Sequence, residues 1–179
     1  MTDHTLTESV LVSLNGVVSE PHTWVGEHFS ARSVERSLAA LRQSSAMLMG
    51  RGTYDVFAQF WPHGSGEYAD FINAMPKYVF SGTLTDPKWR NTTVVRGDVV
   101  DNVRALKETG NLIVYGHGRF GQTLCDAGLV DELTLTFIPV FVAEGKPFFR
   151  PGGAHDWELT GTAQPEPGVI AATYRPVRP

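Results

Sequence analysis

Hydrophobic and polar positions fall in short blocks along the chain, and the period changes from block to block. From Ser9 to Leu14, Val10, Val12 and Leu14 share one face with period two, and the run breaks at Asn15-Gly16, a dipeptide suited to positive φ. A strand is predicted there, followed by a loop to about Phe29. Ser30 or Ser33 is placed to cap a helix whose Val34, Leu38 and Leu41 recur at i, i+4 and i+7, with Ser44-Ser45 ending it. Ala46 to Met49 is wholly apolar and stops at Gly50, as expected of a strand buried on both faces of a parallel sheet. Thr53 to Phe60 and Glu67 to Met75 read as helices on either side of a Gly64-Ser65-Gly66 break, the second closed by Pro76. Strands are expected over 78–80 and 92–95, then a helix from Val99 to Thr109 stopped by Gly110. The best-defined unit follows: a buried strand from Leu112 to Tyr115, a glycine turn from Gly116 to Gly121, and a helix from Gln122 to Ala127 ended by Gly128.

After Asp131-Glu132 the pattern changes again. Leu133, Leu135 and Phe137 alternate with threonines, and Trp157 to Thr160 and Ile170 to Tyr174 read as further strands with no clear helix between them. Parallel neighbours need a crossover of about a dozen residues and antiparallel ones do not, so a mixed sheet is predicted, parallel early and antiparallel late. No internal repeat or low-complexity tract interrupts it, and 179 residues suit one α/β domain spanning 1–179.

Composition narrows the classes. With 42% apolar residues and no apolar run approaching the roughly 18 needed to cross a bilayer, a folded protein without a membrane anchor is expected. The opening residues lack the basic region and apolar stretch of a signal peptide, so the expected location is cytoplasmic. A lone cysteine, Cys125, closes no intrachain disulfide, in keeping with a reducing compartment. A net charge of −4 with no dense basic block argues against nucleic acid as the main ligand. The six histidines form no HExxH or HxH pair, so no metal site is expected. There is no GxSxG elbow and no GxxxxGK[ST] loop. His117 reads as a surface residue of the glycine turn, and Cys125 as packed rather than reactive.

Two strand–turn–helix junctions carry the candidate chemistry. Gly116-His117-Gly118-Arg119-Phe120-Gly121 matches GxGxxG, where small residues let backbone N–H groups and a helix N-terminus meet a phosphate. A close packing turn without a ligand is the alternative. The acid that a dinucleotide fold places about 20 residues on, at the ribose, is missing, and too few residues follow for the rest of a doubly wound Rossmann domain. Met49-Gly50-Arg51-Gly52-Thr53-Tyr54 is the second junction, with an arginine able to grip a phosphate in a fork. An arginine there, with no ribose-binding acid, tilts the choice between nicotinamide cofactors towards the phosphorylated one.

These motifs in order resemble a known family. Ser13-Leu14-Asn15-Gly16, Met49-Gly50-Arg51-x-Thr53-Tyr54, Val79-Phe80-Ser81-x-Thr83-Leu84, Tyr115-Gly116-x-Gly118, Gly128 to Leu133 and Gly145 to Phe149 span nearly the whole chain. The set is similar to the dihydrofolate reductase-like family that includes the C-terminal reductase domain of the bifunctional riboflavin-biosynthesis protein. The resemblance implies a dihydrofolate reductase-like three-layer α/β/α fold, NADPH as hydride donor, a small heterocyclic (pteridine- or pyrimidine-like) or carbonyl substrate, and a homodimer. It implies phosphate contacts at Gly50, Arg51 and Thr53, adenosine-side contacts at Ser81 and Thr83, and a pyrophosphate turn built from Gly116, Gly118, Arg119, Phe120 and Gly121. Asn15 stands where the riboflavin reductases carry an aspartate; an amide orients a substrate by hydrogen bonds but exchanges no proton at neutral pH. Trp24 and Trp61 fall in the two loops that border the substrate pocket by family analogy. Glu35 is the candidate acid on the first helix, one place off the apolar stripe. The other reading is a non-catalytic nucleotide-binding protein that keeps the fold.

Overall fold

The structure is a computed structural model that describes residues 4–148 and 156–177. Phe149 and His155 lie outside the described residues. Among the described residues, eight strands form one sheet in the order β4-β3-β2-β5-β1-β6-β8-β7. These are β1 (Leu6–Ser13), β2 (Ala46–Gly50), β3 (Lys77–Phe80), β4 (Thr92–Val95), β5 (Leu112–Tyr115), β6 (Glu132–Ile138), β7 (Trp157–Ala163) and β8 (Ile170–Pro176). The pairs from β4 across to β6 are parallel, and β8 joins β6 and β7 antiparallel. This is the mixed sheet that the pattern predicts.

Helices cover both faces, and the parity of the buried strands decides which residues meet which layer. The helices are α1 (Ala31–Arg42), α2 (Arg51–Phe60), α3 (Glu67–Ala74), α4 (Val99–Lys107) and α5 (Arg119–Asp126). In β2, Met47 and Met49 face Leu41 of α1, Tyr54 of α2 and Ile72 of α3, while Ala46 and Leu48 face Val103 of α4 and Leu124 of α5. Both sets are buried, which is why the run carries no polar alternation.

Lys77 breaks the apolar rule at the start of β3. Its Nζ is fully buried and donates to the carbonyls of Ile72, Asn73 and Met75 at 2.9, 3.2 and 2.7 Å, closing the C-terminus of α3, and it sits 4.6 Å from the ring centre of Trp89. Burial, and next the charge of Arg90, lower its pKa from 10.5 to about 8.

Three elements begin two or three residues before the sequence expectation. Strand β1 begins at Leu6, because Glu8 occupies a core-facing position between Leu6 and Val10 and interrupts the apolar alternation. Helix α5 begins at Arg119 rather than Gln122, so the turn proper is Gly116-His117-Gly118 and Gly121 belongs to the first turn of the helix. Helix α2 likewise begins at Arg51. The loop after β1 holds two 3-10 turns, Pro21–Thr23 and Gly26–His28.

Candidate functional site

Strand order reverses between β2 and β5. From β2 the chain runs through α2 and α3 to β3 on one side, and from β5 it runs through α5 to β6 on the other and on the opposite face. The carboxyl ends of strands at such a switch point open into a crevice where ligands bind. Here α2 and α5 both begin in that crevice. Their N-cap residues, Gly50 and Gly118, have no side chain to occupy the first N–H groups, so both helix N-termini are left open to an anion.

The two junctions touch. A Cβ at Gly50 would lie 3.2 Å from that of Phe120, and one at Gly116 would lie 3.7 Å from the Thr53 hydroxyl. Gly116 also has φ +76, a conformation that glycine adopts without strain. A Cβ at Gly52 or Gly118 would meet nothing within 4 Å, so open space lies beside each helix start. Gly50, Thr53, Gly116 and Phe120 are therefore brought together as the sequence motifs imply. The Phe120 ring stacks on Phe80 with centres 4.7 Å apart, which ties the end of β3 to α5, and Arg119 is exposed at the first position of α5.

Beside the crevice, Arg51 Nε donates to Asp55 at 2.7 Å and Nη1 reaches the Thr83 hydroxyl at 3.4 Å. Ser81 Oγ accepts from the backbone N–H groups of Thr83 and Leu84 at 3.2 and 3.1 Å, folding 81–84 into a tight turn. Arg51, Ser81 and Thr83 thus form one edge. A residue that the motifs did not single out completes it: Arg96, after β4, donates to the Gly82 carbonyl and to that of Leu84 at 2.7 Å. Two guanidinium groups flank one exposed turn. Its only sequence signal was the Arg96-Gly97 pair at the end of a strand.

The substrate-side candidates do not converge in the same way. Asn15 accepts from Ser13 Oγ at 2.8 Å and from Val142 N at 3.0 Å and donates to the Val142 carbonyl at 2.7 Å, so its amide pins the segment after β6 to the end of β1. Trp24 is half-buried and donates to the Ser19 carbonyl at 2.8 Å. Trp61 is half-buried against Phe57 and Tyr68, with ring centres 6.3 and 4.8 Å away. Glu35 is exposed on α1. Instead, hydroxyls gather at the end of β5: Ser37 Oγ lies 3.1 Å from the Tyr68 hydroxyl and 2.8 Å from that of Tyr115. Burial, and next the neighbouring Tyr68, push the Tyr115 phenol well above its ordinary range; burial also raises Tyr68. Nothing in the spacing of Ser37, Tyr68 and Tyr115 reveals the cluster.

His117 corrects an expectation. It is buried under the glycine turn, not at the surface, with its ring 4.5 Å from that of Phe148 and Nδ1 2.8 Å from Oε1 of the fully buried Glu8. The thiol of Cys125 donates to Glu8 Oε2 at 3.4 Å. Burial, and next the Glu8 charge, push that thiol far up, consistent with its reading as an unreactive, packed group.

An open α/β sheet with two glycine-led helix N-termini at its switch point defines a structural class, the open α/β folds whose strand ends face such helix starts. Within that class, the sequence pattern of the RibD C-terminal domain matches residues 4–171, and the chain belongs to this family. The protein YyaP of Bacillus subtilis (strain 168), described as uncharacterized, is 29% identical over 116 residues, 61% of each chain. The match thus spans about three-fifths of that curated relative. Among solved structures, a putative riboflavin biosynthesis protein from Shewanella sp. PV-4 superposes with a TM-score of 0.80 at 20% identity, covering 97% of this chain and 99% of the other. A pyrimidine reductase-like protein from Corynebacterium diphtheriae gives 0.70 at 14% identity, covering 99% and 93%. Acinetobacter baumannii RibD gives 0.67 at 12% identity, covering 98% of this chain and 58% of RibD. These neighbours share the fold, a RibD- and dihydrofolate reductase-like α/β architecture. Among the described residues, no helix is long and apolar enough to cross a membrane.

Proposed function

We propose that this chain is an NADPH-dependent reductase that transfers hydride to a small heterocyclic, pteridine- or pyrimidine-like, or carbonyl substrate. The observation that carries the reading is the meeting of two open helix N-termini, those of α2 and α5, at one switch-point crevice, beside a turn flanked by Arg51 and Arg96. The residues present fit the cofactor. The first N–H groups of α5, reached past Gly116 and Gly118, hold the pyrophosphate, and the close approach needs the absence of side chains there. Gly50, Arg51 and Thr53 carry further phosphate contacts, with Ser81 and Thr83 on the adenosine side. Arg51 exchanges Asp55 for the ribose phosphate, helped by Arg96, which a guanidinium fork suits better than an ammonium. Bound NADPH supplies the hydride; the protein orients it and excludes water. The hydroxyls of Ser37, Tyr68 and Tyr115 are the proton-bearing groups behind the end of β5. Two copies of the chain form a homodimer in this reading, a point that sedimentation decides.

A non-catalytic nucleotide-binding protein is the second reading, favoured by two observations: Asn15 is spent on the segment after β6, and Glu35 points to solvent-exposed surface on α1. Following NADPH oxidation across a panel of pteridines, pyrimidines and small carbonyl compounds separates the two. Turnover with at least one heterocycle or carbonyl supports the reductase. Tight NADPH binding without turnover on any of them supports the second reading.

A further inference from the structure

Glu8 is the one fully buried carboxylate among the described residues, set in the middle of a parallel sheet where an isolated charge is costly. Its neighbours are an imidazole and a thiol. His117 Nδ1 lies 2.8 Å from one carboxylate oxygen and Cys125 Sγ lies 3.4 Å from the other. The three donor atoms all fall within 4.8 Å of one another. They come from three places in the fold: β1, the turn after β5, and the second turn of α5.

The space they occupy exists because residue 121 is glycine. Helix α5 passes directly over the cluster, and a Cβ at Gly121 would lie 2.2 Å from Glu8 Oε1 and 2.9 Å from His117 Nδ1. The φ of Gly121 is not in the positive region, so the backbone there does not call for glycine; the side chains beneath it do. The nucleotide reading gives no role to the Glu8, His117 and Cys125 side chains.

Oxygen, nitrogen and sulfur donors together suit zinc and its late first-row neighbours rather than magnesium or calcium, which take oxygen alone. A tetrahedral ion with bonds of about 2.0–2.3 Å needs its ligand atoms about 3.3–3.7 Å apart. Cys125 Sγ already lies at that length from Glu8 Oε2, at 3.4 Å, while His117 Nδ1 lies 2.8 Å from the other oxygen, Oε1, so the carboxylate has to turn to present one oxygen to an ion that both side chains hold, or to offer it both. Charge also balances. Carboxylate, neutral imidazole and thiolate sum to −2, so a divalent ion leaves no net charge in the interior; on binding, the Cys125 thiol releases its proton to solvent and the imidazole keeps its proton on Nε2, which leaves Nδ1 to ligate.

We propose that Glu8, His117 and Cys125 form a binding site for a zinc-class divalent transition-metal ion beneath the glycine turn, with the second Glu8 oxygen or a water as the fourth ligand. The ion clamps His117, and with it Gly116 to Gly118, onto β1. The site stands independently of the reductase reading.

Cobalt(II) tests it directly, because Cys125 is the only cysteine and a thiolate-to-cobalt charge-transfer band therefore has one source. The full chain, stripped with a chelator, is titrated with Co²⁺ and then with Zn²⁺. One Co²⁺ per chain, with that band and the intense visible absorption of tetrahedral cobalt, displaced by Zn²⁺, is the expected result. Cys125→Ser should abolish the band, and both Cys125→Ser and His117→Gln should weaken Zn²⁺ binding by at least about tenfold, roughly 1.4 kcal/mol. His22→Gln, in the exposed loop, should leave both readouts unchanged. No charge-transfer band in the wild-type chain at saturating Co²⁺ overturns the site without any variant having to fold. Zn²⁺ affinity unchanged in a folded Cys125→Ser or His117→Gln chain overturns it equally, and leaves a hydrogen-bonded core cluster.

Discussion

At Gly121 the absence of one methyl group lets the Glu8 carboxyl group sit inside the sheet. In an ordinary helix, glycine to alanine gains about 1 kcal/mol. Here the added Cβ would fall 2.2 Å from the Glu8 carboxylate, and α5 has to lift to admit it. Gly121→Ala should therefore destabilise the protein by about 1–3 kcal/mol in urea unfolding; a gain in stability would show that the helix and Glu8 are not in contact. Lys77 makes a second residue-scale test. Its pKa is 10.5 in the unfolded chain and about 8 in the fold, so between those values the unfolded state binds more protons and stability from this group rises with pH. Below about 8 both states are protonated and the dependence vanishes. Unfolding midpoints compared with those of Lys77→Met should show this extra rise from about pH 8 to about pH 10 in the wild type only; parallel curves would mean that Lys77 keeps its proton throughout. Neither residue was legible as a buried polar group. In a single sequence Glu8 and Lys77 look like surface charges, and only the partners that reach them from distant elements make their burial tolerable.

Elements are more legible in the sequence than single buried residues. Strands β2 and β5 stand out because both faces are buried and the apolar run is unbroken, and β6 because Leu133, Leu135 and Phe137 alternate with threonines. Where one polar residue sits at a core position, as Glu8 does, the start of the strand was lost. The sequence sets the start of α5 three residues late for a related reason: a glycine usually marks a loop, whereas Gly121 serves close packing inside a helix. Both strand–turn–helix junctions, by contrast, are legible because their pattern is local, a strand end followed by glycines and a helix. The hydroxyl cluster of Ser37, Tyr68 and Tyr115 and the second guanidinium at Arg96 were not, since each is assembled across elements. Such assembly also governs the segment after β6. Gly16 O accepts from Phe148 N at 2.7 Å, Val18 N donates to Lys146 O at 2.9 Å, and Asn15 brackets Val142. Asn15→Ala removes that bracket and should cost about 1 kcal/mol, with faster amide exchange at Val142. Unchanged exchange there would show that the Gly16 and Val18 bonds alone hold the segment.

At the scale of the molecule, the sheet does one thing for function: it reverses strand order between β2 and β5 and so brings two glycine-led helix starts to one crevice. Motifs 66 positions apart, at Gly50 and Gly116, become neighbours through that reversal alone. Membership of the RibD C-terminal domain family and the shared fold of its structural neighbours agree with a reductase-like domain, and the cofactor is the next link. Calorimetric titration of the purified chain with NADPH and with NADH, repeated on Arg51→Ala, addresses it most directly. Micromolar NADPH binding is expected, with NADH weaker by at least about tenfold (roughly 1.4 kcal/mol) and the preference erased by the substitution. Binding of neither nucleotide would reduce the two glycine junctions to packing devices and remove the reductase reading while leaving the fold intact.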